Sequence, residues 1–190
     1  VDIIVSGVSA SSLTLPSYTN FLSEAVNGLN YNFVTTNSTT VNTDLVRNIA
    51  TFSNVELKQG IPVNLTFTVN STTNPSYTFD IPDSNMDVSS LMVTVQQSSS
   101  NSSFQVYSPA TDYLTLSGNS AVYFVNESLT GNYQISFGDN IIGQQLSDGN
   151  VILVSYISTQ GTSSGGANSF VLMDSVAGFG PATVYGLYPA

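Results

Sequence analysis

Two aspartates in the last third of the chain have the type and spacing that come closest to catalytic chemistry. Asp139 and Asp148 flank one glycine-containing loop. Paired carboxylates hydrolyse glycosides when one acts as a general acid and the other as a nucleophile. An Asp beside a Gly more commonly accepts hydrogen bonds from the backbone N–H groups of a turn. We therefore expect both aspartates to cap turns, and we predict that the protein is not an enzyme.

The residue inventory restricts other chemistry. The chain contains no His and no Cys, which removes His-dependent catalysis, imidazole and thiolate metal ligands, and disulfides. Two basic residues, Arg47 and Lys58, stand against twelve acidic ones, for a formal net charge of −10. Nucleic-acid binding depends on Lys and Arg at phosphates, and anionic membranes attract basic segments. We predict no catalytic residue, no cofactor, no nucleic-acid partner and no membrane partner.

One segment resembles a calcium loop. Asp83, Asn85 and Asp87 match the first, third and fifth positions of the D-x-[DN]-x-[DN] pattern. Val88 stands where the loop needs glycine, and Thr94 stands where it needs a bidentate Glu. We expect Asp83 to cap a helical turn within residues 83–90, and we predict no metal ligand.

The composition favours strands. Only 7% of the residues are charged, so Ser, Thr, Asn and Gln must cover most of the surface, and these residues favour helices less than turns and strands. They also form five N-x-[ST] sequons, which in a secreted protein carry glycans and which a chain of this composition also generates by chance: Asn37, Asn64, Asn70, Asn101 and Asn126. We predict a mainly β fold, an antiparallel β-sandwich or meander with at most short helical turns.

Hydrophobic alternation locates the strands. It is clearest at 133–137, and residues 151–157 are apolar at both parities, which is typical of a strand covered on both faces. Helical spacing within 17–29 competes with the hairpin signal Asn27-Gly28, and we prefer the hairpin. Residues 35–44 have no period and are predicted to be a loop or the crossing between two halves. The polar residues 98–103 are predicted to form a hairpin turn. Further predicted strands are 1–8, 13–16, 52–57, 65–69, 77–81, 91–95, 104–107, 113–116 and 121–125.

Three regions are predicted along the chain. Residues 1–52 form an N-terminal β-hairpin portion, residues 53–172 form the main β domain, and residues 173–190 connect to a further C-terminal part. The chain does not begin with Met, its first residues already have strand character, and its end is apolar. We therefore expect it to be an internal fragment of a longer protein.

The segment from 137 to 161 carries a family resemblance. It resembles the baseplate J-like proteins of contractile-tailed phages and is similar, within them, to the wedge proteins of T-even-like phages. The similarity extends upstream through 131–133, 123–125, 81–82 with 87–91, and 15–21. Asn140 replaces the family's usual glycine after Gly-Asp, and 164–168 replaces its usual Asn-Gly. The residues of the motif are Phe137, Gly138, Asp139, Gly143, Gly149, Tyr156 and Gly161.

The resemblance implies a structural role in the virion. Proteins of this family dimerise, associate around a central hub, and form the ring of the tail baseplate. The expected partners are therefore a second copy of the chain and other baseplate proteins, and the expected location is the tail baseplate. The alternative is a secreted or cell-surface β-domain, of adhesin or surface-layer type, with glycans at the sequons.

Overall fold

The structure is a computed structural model that describes residues 1–128 and 131–186, apart from the side chains at 162 and 163. Its strands group into two compact units. The first comprises residues 1–62 together with the chain from Thr159 onward, and the second comprises Val63–Ser158. The second unit is thus inserted between two segments of the first. Among the described residues, no helix is long and apolar enough to cross a lipid bilayer.

Short strands build the first unit. They are β1 (Asp2–Ser6), β2 (Ser12–Leu15), β3 (Asn20–Ser23), β4 (Asn32–Thr35), β5 (Thr39–Asn42), β6 (Ile49–Phe52), β7 (Leu57–Gln59), β15 (Phe170–Leu172) and β16 (Ala182–Tyr185). They form sheets in the orders β16-β1-β6, β15-β3-β4-β7 and β2-β5. Alternate side chains such as Ile3, Val5 and Leu15 are fully buried and form one core.

The predicted hairpin is confirmed. β3 and β4 pair antiparallel, and Val26 and Leu29 exchange backbone hydrogen bonds of 2.8 and 3.1 Å beyond their ends. Asn27 and Gly28 have φ of +52° and +85°. Positive φ at both central residues is what a type I′ turn requires, and Asn-Gly supplies it at the least steric cost.

The second unit is built on one sheet. Its strands are β8 (Ile61–Thr68, in this unit from Val63), β9 (Thr78–Ile81), β10 (Met86–Ser98), β11 (Asn101–Pro109), β12 (Val122–Glu127), β13 (Tyr133–Phe137) and β14 (Val151–Ser158). Their order is β8-β14-β10-β11-β12-β13-β9. β10 pairs antiparallel with β11 and β14, and β13 pairs antiparallel with β9 and β12. β11 and β12 run parallel over a short stretch.

The predicted mainly β fold is confirmed. Besides strands and turns, the described residues contain one four-residue 3₁₀ turn, Gly161–Ser164. β14 buries Ile152, Val154 and also Ile157, as expected for a strand covered on both faces. The predicted turn near 98–103 is confirmed, because β10 ends at Ser98 and β11 begins at Asn101.

Four local predictions were wrong. Residues 35–44 contain β5, which pairs with β2 although its polar sequence has no period. Residues 53–56 separate β6 from β7 and are not a strand. β10 begins at Met86 in place of the helical turn predicted within 83–90. Residues 113–116 form a turn in place of a strand, because Asp112 caps them.

The domain boundaries also differ from those predicted. β16, inside the predicted connecting segment 173–190, pairs antiparallel with β1, so this segment is part of the first unit up to Gly186, and residues 187–190 lie outside the described residues. The boundaries were predicted at 52 and 172, whereas the two compact units of the structure meet in the sequence near 62 and 158. A pairing between the two ends of the chain joins residues too far apart for local periodicity to detect.

Candidate interaction surface

The most organised turn of the second unit follows β13. The carboxylate oxygen Oδ1 of Asp139 accepts hydrogen bonds from the N–H groups of Ile141 (2.9 Å) and Ile142 (3.0 Å). These donors, Ile142 first, hold the pKa of the Asp139 carboxyl below its ordinary value. Asn140 has φ of +67°, a conformation that Asn tolerates better than most residues. Asp139 therefore caps the turn, as the sequence predicted.

Two glycines let the turn close on itself. A Cβ on Gly138 would lie 2.1 Å from both the carbonyl carbon and the carbonyl oxygen of Gly143. Gly143 has φ of +84°, and a Cβ there would lie 2.9 Å from Cγ2 of Val122. A side chain at Gly138 would push apart backbone atoms that are in contact. A side chain at Gly143 would meet the Val122 methyl group in a backbone conformation that favours glycine, so both positions need glycine.

The chain between β11 and β12 is bonded to this turn. Gly143 donates its N–H to the carbonyl of Ser117 (3.0 Å), and Gln144 donates to the carbonyl of Ser120 (2.8 Å). A Cβ on Gly118 would lie 2.0 Å from the carbonyl oxygen of Asn140. Sequence reasoning missed Gly118, because a single glycine in a polar loop carries no distinct signal.

The second loop has its own capped turn. Oδ1 of Asp112 accepts the N–H of Leu114 (3.1 Å), and the Asp112 carbonyl accepts the Thr115 hydroxyl (3.0 Å). The ring of Tyr113 stacks on that of Phe124, with centroids 5.7 Å apart and an interplanar angle of 20°. These contacts fold residues 112–115 into a turn despite their strand-like alternation.

Both turns present large apolar side chains to solvent. Leu114 is 97% exposed and Ile141 is 75% exposed, and Tyr113 and Ile142 are also exposed. We call these four residues the two-turn surface. Single exposed apolar residues are common on soluble proteins. These four lie on two loops that are bonded to each other, which makes the two-turn surface a candidate interaction site.

The other residues of the predicted motif have structural positions. Phe137 is buried at the end of β13, where its ring packs edge-on against Tyr107 (5.5 Å between centroids) and Phe79 (6.1 Å). Gly149 has φ of +86° and donates its N–H to the carbonyl of Val69 (2.9 Å). Gly161, with φ of +66°, begins the 3₁₀ turn of the first unit. The structure thus joins Phe137, Gly138, Asp139 and Gly143 at one turn and places Gly161 in the other unit.

Tyr156 lies in the core of the second unit. It is buried on β14, and its hydroxyl is hydrogen-bonded to the Asp83 carboxyl. Burial, followed by the negative charge of Asp83 and this hydrogen bond, raises the pKa of Tyr156 to about 12. The hydroxyl therefore remains protonated at neutral pH and acts as a structural donor.

The other aspartates that the sequence singled out also accept hydrogen bonds, although Asp148 accepts them from a distant segment and not from its own turn. Asp148 accepts the N–H (2.6 Å) and hydroxyl (2.8 Å) of Ser71, which together hold its carboxyl pKa below the ordinary value. A glycosidase acid needs a raised pKa, whereas the carboxyl pKa values of Asp139 and Asp148 are both lowered.

In the calcium-like segment, Asp83 accepts the N–H of Asn85, and Asp87 accepts both the N–H and the hydroxyl of Ser89. The described residues contain no cluster of three or more acidic side chains suited to a metal ion.

No protein-family model matches the sequence, and no match was found among the curated proteins compared with it.

Proposed function

We propose that this protein is a structural component of a phage contractile-tail baseplate, a wedge subunit that contributes to the ring around the hub and to tail assembly. The observation that carries the proposal is the two-turn surface. One of its two turns, the one capped by Asp139, lies in the segment that resembles the baseplate J-like family, and both turns expose apolar side chains on backbone that is fixed by hydrogen bonds. Its expected partners are a second copy of the chain and other baseplate proteins, within the virion.

The geometry of the motif supports an assembly role over a catalytic one. Gly138 and Gly143 allow the backbone to close, Asp139 caps the turn, and Phe137 anchors it in the core. Each of these residues stabilises the loop. The loop in turn holds the exposed side chains of Ile141 and Ile142 at the surface.

Preorganisation makes such a surface effective. Binding costs free energy when loops and side chains must become ordered. The backbone of the capped turns is already ordered, so binding loses little further backbone entropy there. The surrounding surface is rich in neutral amides and hydroxyls, which are buried with hydrogen bonds at less cost than charges. These properties suit contacts between subunits that remain assembled.

The experiment is co-expression with the proteins encoded by neighbouring virion genes, followed by affinity capture and light scattering. Leu114→Ser and Ile141→Ser should each weaken capture or dimerisation about tenfold or more, as expected for anchor residues. Val46→Ser is the matched control, because Val46 is 94% exposed on an Asp44-capped turn of the first unit. Equal capture by the wild type and all three variants would show that the two-turn surface does not bind these partners.

A secreted or cell-surface β-domain is the second candidate. It is favoured by the exposure of all five sequon asparagines, Asn37, Asn64, Asn70, Asn101 and Asn126, a property they share with most asparagines of the chain. Intact-mass spectrometry of protein from its native source distinguishes the two: hexose increments at these residues support the surface module, and the unmodified mass supports the virion protein.

A further inference from the structure

A concavity of about 320 Å³ lies in the second unit, between the β10–β11 hairpin and the segment that follows the Asp139 turn. Val95, Gln105 and Tyr107 line it from the hairpin, and Gln144, Gln145 and Asn150 line it from the facing segment. Of the described residues that line it, none is an Asp, Glu, Lys or Arg. It is thus a neutral site on a protein of net charge −10.

Both walls are fixed by backbone geometry. Val95 pairs with Gln105 and Val93 with Tyr107 across the hairpin, so Gln105 and Tyr107, two residues apart, occupy the same face of β11. On the facing segment, the N–H of Gln145 is bonded to Oδ1 of Asn140 (3.0 Å), and Nδ2 of Asn150 is bonded to the carbonyl of Gln97 (2.9 Å). The spacing between the walls is therefore set by the fold.

Several polar groups at this concavity have unused hydrogen-bonding capacity. Within the part of the chain that the structure describes, the side-chain amides of Gln105 and Gln144 and the hydroxyl of Tyr107 make no hydrogen bond to another residue. Tyr107 is only 4% exposed, and its ring packs on Phe137. Burial raises the pKa of Tyr107, so its hydroxyl remains a neutral donor and acceptor. A hydroxyl that reaches a concavity and has no partner among the described residues is available to a ligand there.

The chemistry of the lining selects the class of ligand. An anion would meet no cation there and would be repelled by the net charge of the protein, and a cation would find no carboxylate among the described lining residues. An apolar ligand would desolvate amides without replacing their hydrogen bonds. A carboxamide offers donors and an acceptor side by side, which matches adjacent hydroxyl groups that each donate and accept.

We propose that this concavity binds a neutral saccharide, with Gln105, Gln144 and the Tyr107 hydroxyl bonded to adjacent hydroxyl groups of the sugar. Its volume lies at the low end of small-molecule sites, so it accommodates one or two sugar rings. The affinity is expected to be in the millimolar range, because so small a ligand makes few contacts to offset the cost of its ordering. This proposal is independent of the baseplate role.

The test is two-dimensional NMR of the isotope-labelled chain, titrated with the methyl glycosides of glucose, galactose, mannose, rhamnose and N-acetylglucosamine. At least one glycoside should shift the side-chain NH₂ resonances of Gln105 and Gln144 in a saturable manner. Tyr107→Phe keeps the ring and removes the hydroxyl, and Gln144→Ala removes one amide. Each should raise the dissociation constant about 2- to 10-fold, the effect of losing one neutral hydrogen bond.

Controls make the result decisive. Gln160→Ala, at an exposed glutamine of the first unit, should leave the titration unchanged. N-methylacetamide, a peptide-like probe, should cause no saturable shift. The proposal is overturned if no glycoside shifts the Gln105 and Gln144 resonances, if N-methylacetamide produces the same shifts, or if Tyr107→Phe, folded by circular dichroism, binds as the wild type does.

Discussion

The backbones of Gly138 and Gly143 are in direct contact, and a Cβ on Gly138 would lie 2.1 Å from the Gly143 carbonyl oxygen. This approach closes the loop that follows β13. The neighbouring approach of Gly118 to Asn140 repeats the arrangement between two loops. The backbone of the two-turn surface therefore depends on positions that have no side chain.

Gly138→Ala should destabilise the protein by about 3 kcal/mol, at the upper end of overpacking costs, because the backbone must move to accept the methyl group. Urea unfolding measures the change. Gly149→Ala is the matched control: its φ is +86°, but a Cβ there meets no atom within 4 Å. It should cost only about 1 kcal/mol for its strained backbone. Equal losses in the two variants would show that backbone contact at Gly138 is unimportant.

Phe137→Ala should cost about 3–5 kcal/mol, the usual range for deleting a buried aromatic ring. The ring packs edge-on against Tyr107 and Phe79, and these neighbours cannot fill the space without losing their own contacts. Phe104→Ala, at an exposed site on β11, should change the unfolding free energy by no more than about 0.5 kcal/mol. A mild effect at Phe137 would mean that it does not anchor the turn.

Local rules predicted much of this fold. The strand at 133–137 and the buried strand at 151–157 are visible in their periodicity, and Asn27-Gly28 encodes its own turn. β5 was missed because Thr39–Asn42 is almost wholly polar. It is held by pairing with β2, including a 2.8 Å hydrogen bond between the hydroxyls of Thr14 and Thr40. The sequence of β5 alone does not reveal that a distant segment pairs with it.

The candidate site was predicted only in part. The sequence identified Phe137, Gly138, Asp139 and Gly143, whose residue types are informative in themselves. It misassigned 113–116, because alternation favoured a strand while the Asp112 cap and the stacking of Tyr113 on Phe124 stabilise a turn. It also missed Gln105 and Tyr107 as parts of one concavity, since their common environment arises from a facing segment nearly 40 residues away in the chain.

The stability of the protein should fall at acidic pH partly through Asp139 and Asp148. Both carboxyls have pKa values below the ordinary 3.8, so the folded state releases their protons more readily than the unfolded state does. Their stabilising effect is complete above the unfolded pKa and is lost as the pH falls through the lower folded values. Asp139→Asn and Asp148→Asn should each reduce the loss of melting temperature between neutral pH and about pH 3, and the double variant should reduce it further. An unaltered pH profile in the double variant would contradict the assignment.

Tyr156 should make the protein sensitive to alkali. Its pKa is raised from 10.0 to about 12 in the folded state, so the unfolded state loses the proton first, and stability falls as the pH rises through this interval. Tyr156→Phe removes the titrating hydroxyl and should retain more of its neutral-pH stability at about pH 11, although it loses the hydrogen bond to Asp83 at every pH. The measurement compares urea midpoints of the two proteins at neutral pH and in this interval. A parallel decline in both proteins would show that the Tyr156 hydroxyl is not held protonated by burial and by Asp83.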